Sequence, residues 1–318
     1  DAAPAGGDGM RGKTCIVTGA TSGIGREIAT LLASQGAEVV GVGRDWNRCV
    51  EACAAIAAAT NNTAVHFEMA DLSSQGEIRA LAERIAERCG RVDVLVNNAG
   101  TFTFGRRETV DGIETQLAVN WLAAWLLTGR LLPLLRAVPE ARVVTVSSGS
   151  HYAGRIRWDD IQIHHGYHGL KAYDQSKLAT VLFTAELARR LGPGSPVSVY
   201  AVDPGLVRTE IGMKGAGPLV RLAWKIRVRG GIPAAAAADN VAWCATAAGA
   251  AGRSGLYWKE KEPLAPSARA MSVDDARRLW EIAEQLGAFR YDLPAPRYES
   301  TPQNPEPHFP RLQPQLPV

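Results

Sequence analysis

Cysteine is scarce in this chain. Its five copies among 318 residues, Cys15, Cys49, Cys53, Cys89 and Cys244, are odd in number and nowhere spaced C-x-x-C. That excludes a disulfide-stapled scaffold and a zinc ribbon, and points to reduced thiols. Cys49 and Cys53 stand four apart on an expected helix, but a single pair lacks the further ligands that a metal needs. An excess of charge of one sign is absent too: 35 Lys and Arg against 32 Asp and Glu leave a net charge of +3. Without a concentrated basic face, nucleic acid is not an expected partner. Missing as well is an apolar run approaching the ~20 residues of a bilayer span. The chain starts at Asp1 and not at methionine, which leaves open an upstream anchor or targeting segment, and with it a place either in the cytoplasm or on the cytosolic face of a membrane.

What is present is a globular composition, 46% hydrophobic and 21% charged, long enough for one large α/β domain. Residues 1–12, rich in Gly and Ala without apolar periodicity, read as a flexible lead-in. From residue 13, short β-rich runs at 14–18, 38–42, 64–68, 92–96, 142–146, 197–202 and 256–258 alternate with helical patterns at 25–35, 46–59, 75–89, 112–136, 171–191, 233–247 and 272–286. Seven strands separated by helices imply a doubly wound parallel sheet, a single domain over residues 13–287. Ser272 is the expected N-cap of the last helix, with Asp274 and Asp275 in its first turn. Eight prolines in the last 28 positions make residues 288–318 an expected extended or disordered tail.

The segment joining the first strand to the first helix reads Thr18-Gly19-Ala20-Thr21-Ser22-Gly23-Ile24-Gly25. Glycines there allow a tight bend and a close backbone approach to a pyrophosphate, and the helix N-terminus attracts its charge. Three further pieces follow in order: Asn97-Asn98-Ala99-Gly100 after the fourth strand, Ser147-Ser148 after the fifth, and Tyr173-Asp174-Gln175-Ser176-Lys177 opening a helix. Tyr and Lys four apart share one helical face.

With these pieces in this order, the chain from about residue 12 to 287 resembles the short-chain dehydrogenase/reductase family. The resemblance implies a Rossmann sheet of order 3-2-1-4-5-6-7 and a catalytic tetrad of Asn120, Ser148, Tyr173 and Lys177. Tyr173 would exchange a proton with the substrate oxygen, and Ser148 would hydrogen-bond that oxygen. Lys177 would favour the phenolate and bind the cofactor ribose, and Asn120 would hold a water joining Lys177 to solvent. Ser147 is chemically equal to Ser148 and adjacent to it, but neighbours at a strand end point to opposite sides, and Ser148 matches the second serine of the family's V-S-S ending.

The cofactor contacts implied are Gly19, Thr21, Ser22, Gly23, Ile24 and Gly25 on the pyrophosphate turn, Asp71 and Leu72 at the adenine, Asn98, Ala99 and Gly100 beyond the fourth strand, Tyr173 and Lys177, and Pro204, Gly205, Val207 and Thr209 near the nicotinamide. Arg44, at the end of the second strand, suits the 2′-phosphate of NADP(H), whereas an acid there would select NAD(H). Asp45, one position later, keeps NAD(H) as the alternative.

Ser148 and Tyr173 are 25 residues apart (173 − 148), so an insertion sits beside the site. The run 149–171 with Trp158-Asp159-Asp160-Ile161-Gln162, and the run from Ser176 to Thr184, resemble the retinol dehydrogenase and polyprenol dehydrogenase branch. That implies a lipophilic substrate, an alcohol with its aldehyde or ketone, of retinoid, polyprenol or steroid type. His164, His165 and His168 read as loop residues, and no metal is expected. Residues 206–230 fall where the family places a substrate lid. Within 213–230, Leu219, Val220, Leu222, Trp224, Ile226 and Val228 mix with Lys214, Arg221, Lys225, Arg227 and Arg229, a pattern that suits peripheral contact with anionic lipid. Family habit suggests a homodimer through the helix carrying Trp121 and Trp125, which serve equally well as core residues. A protein of another class, a non-catalytic dinucleotide-binding redox sensor or scaffold, is the rival reading, and the intact tetrad speaks against it.

Overall fold

The computed structural model describes residues 9–207, 231–294 and 296, and in it the alternating pattern becomes one open sheet with helices on both faces. Its eight strands take the order β3-β2-β1-β4-β5-β6-β7-β8: β1 Thr14–Thr18, β2 Glu38–Gly43, β3 Val65–Met69, β4 Val94–Asn97, β5 Ala141–Val146, β6 Val197–Asp203, β7 Tyr257–Lys259 and β8 Glu262–Pro263. The first seven are parallel and in the expected order. The eighth corrects the expected count of seven: it is a two-residue return strand, antiparallel to β7, with Trp258 opposite Pro263 and Lys259 opposite Glu262. Glu260 and Lys261 make its turn at φ 52° and 65°. The sequence hides this hairpin because a two-residue turn with both φ positive usually carries Asn or Gly.

Every central strand is apolar on both faces because each face meets helices. Alternation sends Ile16, Val40, Leu95, Val143 and Tyr257 into one core, together with residues of α3 Gln75–Arg88, α4 Thr115–Arg136, α5 Gly169–Leu191 and α7 Val273–Gly287. Val17, Val39, Val96, Val144, Tyr200 and Trp258 enter the other, with residues of α1 Gly23–Ser34, α2 Trp46–Thr60 and α6 Ala234–Thr246. Side-chain caps define several helix starts: the oxygens of Asp45, Ser74 and Ser272 accept from the main chain of Arg48, Glu77 and Asp275.

The helix α4 differs from expectation in two ways. It is 22 residues long and its most apolar 18-residue window has mean hydropathy 1.3, enough to cross a bilayer, yet 78% of that window is buried in the protein, so packing in the core accounts for its composition. Between its α-helical ends runs a π segment, Ala118–Leu122, a distortion that is frequent at functional sites. Trp121 and Trp125, 1% and 0% exposed, are core residues. Trp125 is covered by Trp280, Phe289 and Tyr291 at ring distances of 5.8, 5.8 and 5.2 Å, and Tyr291 Oη donates to Trp125 O. The Trp125 side of α4 is thus covered by the chain's own C-terminal segment. Packed chain accordingly continues through Leu293, past the boundary at 287, and starts by Met10, which is 2% exposed. Thr209 and the rest of the expected lid from 208 to 230 lie outside the described residues.

Candidate active site

The described parts of the expected site gather at the carboxyl edge of the sheet, where an open α/β fold leaves a crevice. The turn after β1 is held from behind by Thr18, whose Oγ1 accepts from Asn98 N at 2.9 Å and Ala99 N at 3.0 Å and donates to Val96 O at 3.3 Å. Asn98 Nδ2 returns a bond to Thr18 O at 2.8 Å. Gly19 bends at φ 68°, and a Cβ on Gly25 would lie 2.3 Å from Gly19 O and 2.4 Å from Asn98 Nδ2. Only glycines let α1 start this close to the strand ends. Ser22 precedes the helix in extended conformation, its side chain makes no capping bond, and the first turn carries no acid. No side chain of its own caps the positive dipole end of α1 or offsets its charge, an arrangement that fits a pyrophosphate.

Around this turn the residues expected at the cofactor separate by environment. Arg44 is exposed directly after β2 and has no ion pair among the described residues. Asp45 is engaged: its Oδ1 accepts from Arg48 N at 3.0 Å as the cap of α2. Asp71 Oδ1 accepts from Ser73 N at 2.9 Å, and the Asp71 N–H donates to Glu77 Oε2 at 2.7 Å. Leu72 lies in the core beside them. Ala99 and Gly100 are partly exposed at the end of β4, and Thr21, Gly23 and Ile24 flank the turn. Pro204 and Val207 are buried on either side of Gly205, whose N–H donates to Asp203 Oδ1 at 2.9 Å.

Tyr173 and Lys177 lie one helical turn apart on α5, with Lys177 Nζ 5.6 Å from the centre of the phenol ring. Lys177 is 4% exposed and donates to Val146 O, at the end of β5, at 2.9 Å. Burial pushes its pKa down to about 8, with the Asp203 carboxylate acting in the opposite direction. Burial pushes the Tyr173 phenol up to about 12, against a hydrogen bond with Ser148 that lowers it. Asn120 sits in the π segment with both amide hydrogens used, Nδ2 donating to Thr101 O at 3.1 Å and Ser176 Oγ at 2.9 Å, and Oδ1 accepting from Thr101 N at 2.7 Å. A water on this side chain would have only the second lone pair of Oδ1.

The insertion after Ser148 is braced against the start of α4. Tyr167 Oη donates to the buried Glu114 at 3.0 Å and accepts from Gln116 Nε2 at 2.8 Å, while Gln175 Nε2 holds Ile161 O at 2.8 Å. His164 and His165 turn to Asp160, and His168 is the N-cap of α5. Among the described residues no three His, Cys, Asp or Glu side chains gather as a metal site. Three contributors escaped sequence reasoning. Phe102 stands edge-on to Tyr173 at 5.9 Å and to Phe104 at 4.8 Å, forming an apolar wall beside the phenol. Thr18, a polar residue ending an otherwise apolar strand, was the one with a readable signal.

Known proteins with this arrangement are numerous. The short chain dehydrogenase family model matches residues 13–216. Human retinol dehydrogenase 12 is 39% identical over 283 residues, covering 89% of this chain and 89% of its own length. Polyprenol dehydrogenase of Mus musculus is 38% identical over 278 residues, 85% of this chain and 82% of its own length. A crystal structure of an uncharacterized protein from Mycobacterium paratuberculosis superposes with a TM-score of 0.72 at 31% identity, over 90% of this chain and 97% of that one. The RhlG/NADP active-site complex of Pseudomonas aeruginosa does so at 0.63 and 28%, over 79% and 95%.

Proposed function

The chain belongs to the short chain dehydrogenase family and is a nicotinamide-dependent oxidoreductase of CH–OH groups; from that premise we propose that it uses NADP(H) to interconvert a lipophilic alcohol of retinoid, polyprenol or steroid type with its aldehyde or ketone. The observation that carries the reading is the meeting of Tyr173, Ser148 and Lys177 beside the apolar wall of Phe102 and Phe104. When bound, the cofactor supplies or accepts the hydride. The protein's own part is binding and proton handling. The glycine turn and the start of α1 would hold the pyrophosphate, and Arg44 would pair with the 2′-phosphate. Ser148 Oγ hydrogen-bonds the substrate oxygen, and Tyr173 Oη gives it a proton in reduction and takes one in oxidation. The Lys177 ammonium stabilises the phenolate left behind.

Support for a lipophilic substrate comes from the retinol and polyprenol dehydrogenases among the relatives. The basic and apolar run 213–230 supports peripheral contact with anionic lipid, and with it a place on the cytosolic face of a membrane. A homodimer through α4 would use its exposed residues, Arg130, Pro133 and Arg136, and not the buried Trp121 and Trp125. The deciding experiment offers purified protein NADPH or NADH with retinal, a polyprenal, a steroid ketone and short aldehydes. NADPH oxidation with a long apolar carbonyl is expected, abolished by Tyr173→Phe with NADPH binding retained. Turnover of short aldehydes alone would overturn the substrate class, and a fully active Tyr173→Phe would overturn the mechanism. Vesicle flotation with Arg221, Lys225, Arg227 and Arg229 all changed to Gln tests the lipid contact: equal recovery with the native protein on anionic vesicles would refute it.

A further inference from the structure

Ser148 must be aimed from its main chain, because its side chain is committed to Tyr173 and to Ser150 N, 3.2 Å away. The Ser148 carbonyl is held twice by the same residue: by the N–H of His151 at 3.1 Å and by His151 Nδ1 at 2.9 Å. A carbonyl oxygen only accepts, so Nδ1 carries the ring proton. On the opposite edge Nε2 lies 3.2 Å from Ser267 N, a main-chain donor, so Nε2 presents its lone pair. Together the two bonds admit one state of the imidazole, neutral with the proton on Nδ1. Burial also favours the neutral ring.

The ring has no room to take another pose. It is 0% exposed and lies between Tyr152 and Tyr257, with ring centres at 4.0 and 4.6 Å. Its far anchor is itself fixed: Ser267 Oγ caps the short helix Ala268–Met271, and Tyr152 Oη donates to Ala265 O at 2.6 Å. An imidazole thus joins the serine after β5 to the loop after β8, which lies 116 residues beyond the histidine in sequence.

We propose that His151 is a positioning residue, which through Nδ1–H holds the Ser148 main chain so that Ser148 Oγ points at Tyr173 and the substrate oxygen, and through Nε2 ties that serine to the 265–271 loop. The proposal rests on the oxidoreductase reading above, with Ser148 as the group that binds the substrate oxygen. Two amides divide the work of the ring. The His151→Asn side chain places a donor where Nδ1 was and loses Ser267, whereas His151→Gln reaches the Nε2 position and loses Ser148. Gln is the closer of the two to the volume of the buried ring, so a merely structural role would make His151→Asn the worse variant, the reverse of the order expected here.

The test measures kcat, the KM for NADPH and the melting temperature of the native, His151→Asn and His151→Gln proteins, with imidazole 15N shifts of the native protein recorded free of cofactor. Expected are an Nδ1–H tautomer, a kcat for His151→Gln lower by on the order of tenfold to a hundredfold, a kcat for His151→Asn within about threefold of native, and little change in KM for NADPH. Equal kcat losses in the two variants, native kcat in His151→Gln, or an Nε2–H tautomer would each overturn the proposal. A native protein that oxidises NADPH with no carbonyl would instead overturn the reading beneath it, and the tautomer would still be measured.

Discussion

Ser147 and Ser148 leave β5 on opposite sides. Ser147, 2% exposed, donates from Oγ to Lys177 O at 3.1 Å and accepts from Thr180 Oγ1 at 3.0 Å, which seats it against the middle of α5. Ser148 turns the other way, to Tyr173. One serine fastens the helix that carries the phenol, and its neighbour hydrogen-bonds the phenol itself.

Ser148→Ala is accordingly expected to lower kcat on the order of a hundredfold, the loss typical of removing one donor to a reacting oxygen. Ser147→Ala should leave kcat within about twofold and cost ~1–2 kcal/mol of stability through a lost buried hydrogen bond. Steady-state rates and urea midpoints of the two variants check this, and a reversal of the two phenotypes would exchange their roles.

The proposed preference for NADP(H) rests on Arg44, and its neighbour Asp45 is already engaged in the fold. With its carboxylate capping α2, Asp45 serves the fold, and exposed Arg44 is left as the charge beside the turn. Arg44→Asp should shift preference from NADPH toward NADH by ~1.5–3 kcal/mol, about ten- to a hundredfold. Asp45→Asn keeps a capping oxygen and should leave the preference unchanged. Titrating both nucleotides against each variant decides it. If Asp45→Asn moves the preference and Arg44→Asp does not, the adenosine end is read by the acid.

The turn and the helical pair of the candidate site were legible because their residue types are imposed locally: a glycine where a Cβ would strike Gly19 O, a tyrosine and a lysine one helical turn apart. The parallel order was legible because strands apolar on both faces alternate with helices. What stayed hidden depends on contacts distant in sequence. Tyr291 is one aromatic among prolines until Trp125, 166 residues earlier, provides its cavity. The tautomer of His151 is set by Ser267, and β8 exists only because β7 offers it an edge. The π segment leaves no mark in a helix that is apolar nearly all round.

The C-terminal strap should therefore be structural. A Cβ on Gly129 would lie 2.4 Å from Phe289 Cε1 and 2.5 Å from Tyr291 Cε2, so α4 has a glycine where the strap crosses it. Tyr291→Ala should cost roughly 3–5 kcal/mol, as large aromatic truncations in cores do, and Gly129→Val should be comparably destabilising because it displaces both rings. Urea denaturation of each, beside a chain ended after Gly287, measures this. A truncated chain as stable as the native one would show that the strap contributes no stability.

The last prediction concerns Lys177, whose burial carries a cost in stability. Its pKa falls from the ordinary 10.5 to about 8 in the folded protein. Below pH 8 the lysine is charged in both states, and the folded state bears the whole penalty of burying the charge, about 3 kcal/mol. Between pH 8 and 10.5 the unfolded chain binds more protons than the folded one, so this contribution to stability rises with pH, and above 10.5 the penalty is gone. Lys177→Met removes the charge but also the bond to Val146 O, worth ~1 kcal/mol. At pH 7, without cofactor, the variant should thus be the more stable protein by about 2 kcal/mol, with its advantage shrinking toward pH 10 and its turnover lost. Denaturant midpoints of both proteins at pH 7 and pH 10 test the sign. A variant less stable than native by the same margin at both pH values would mean that Lys177 is held for the fold and not against it.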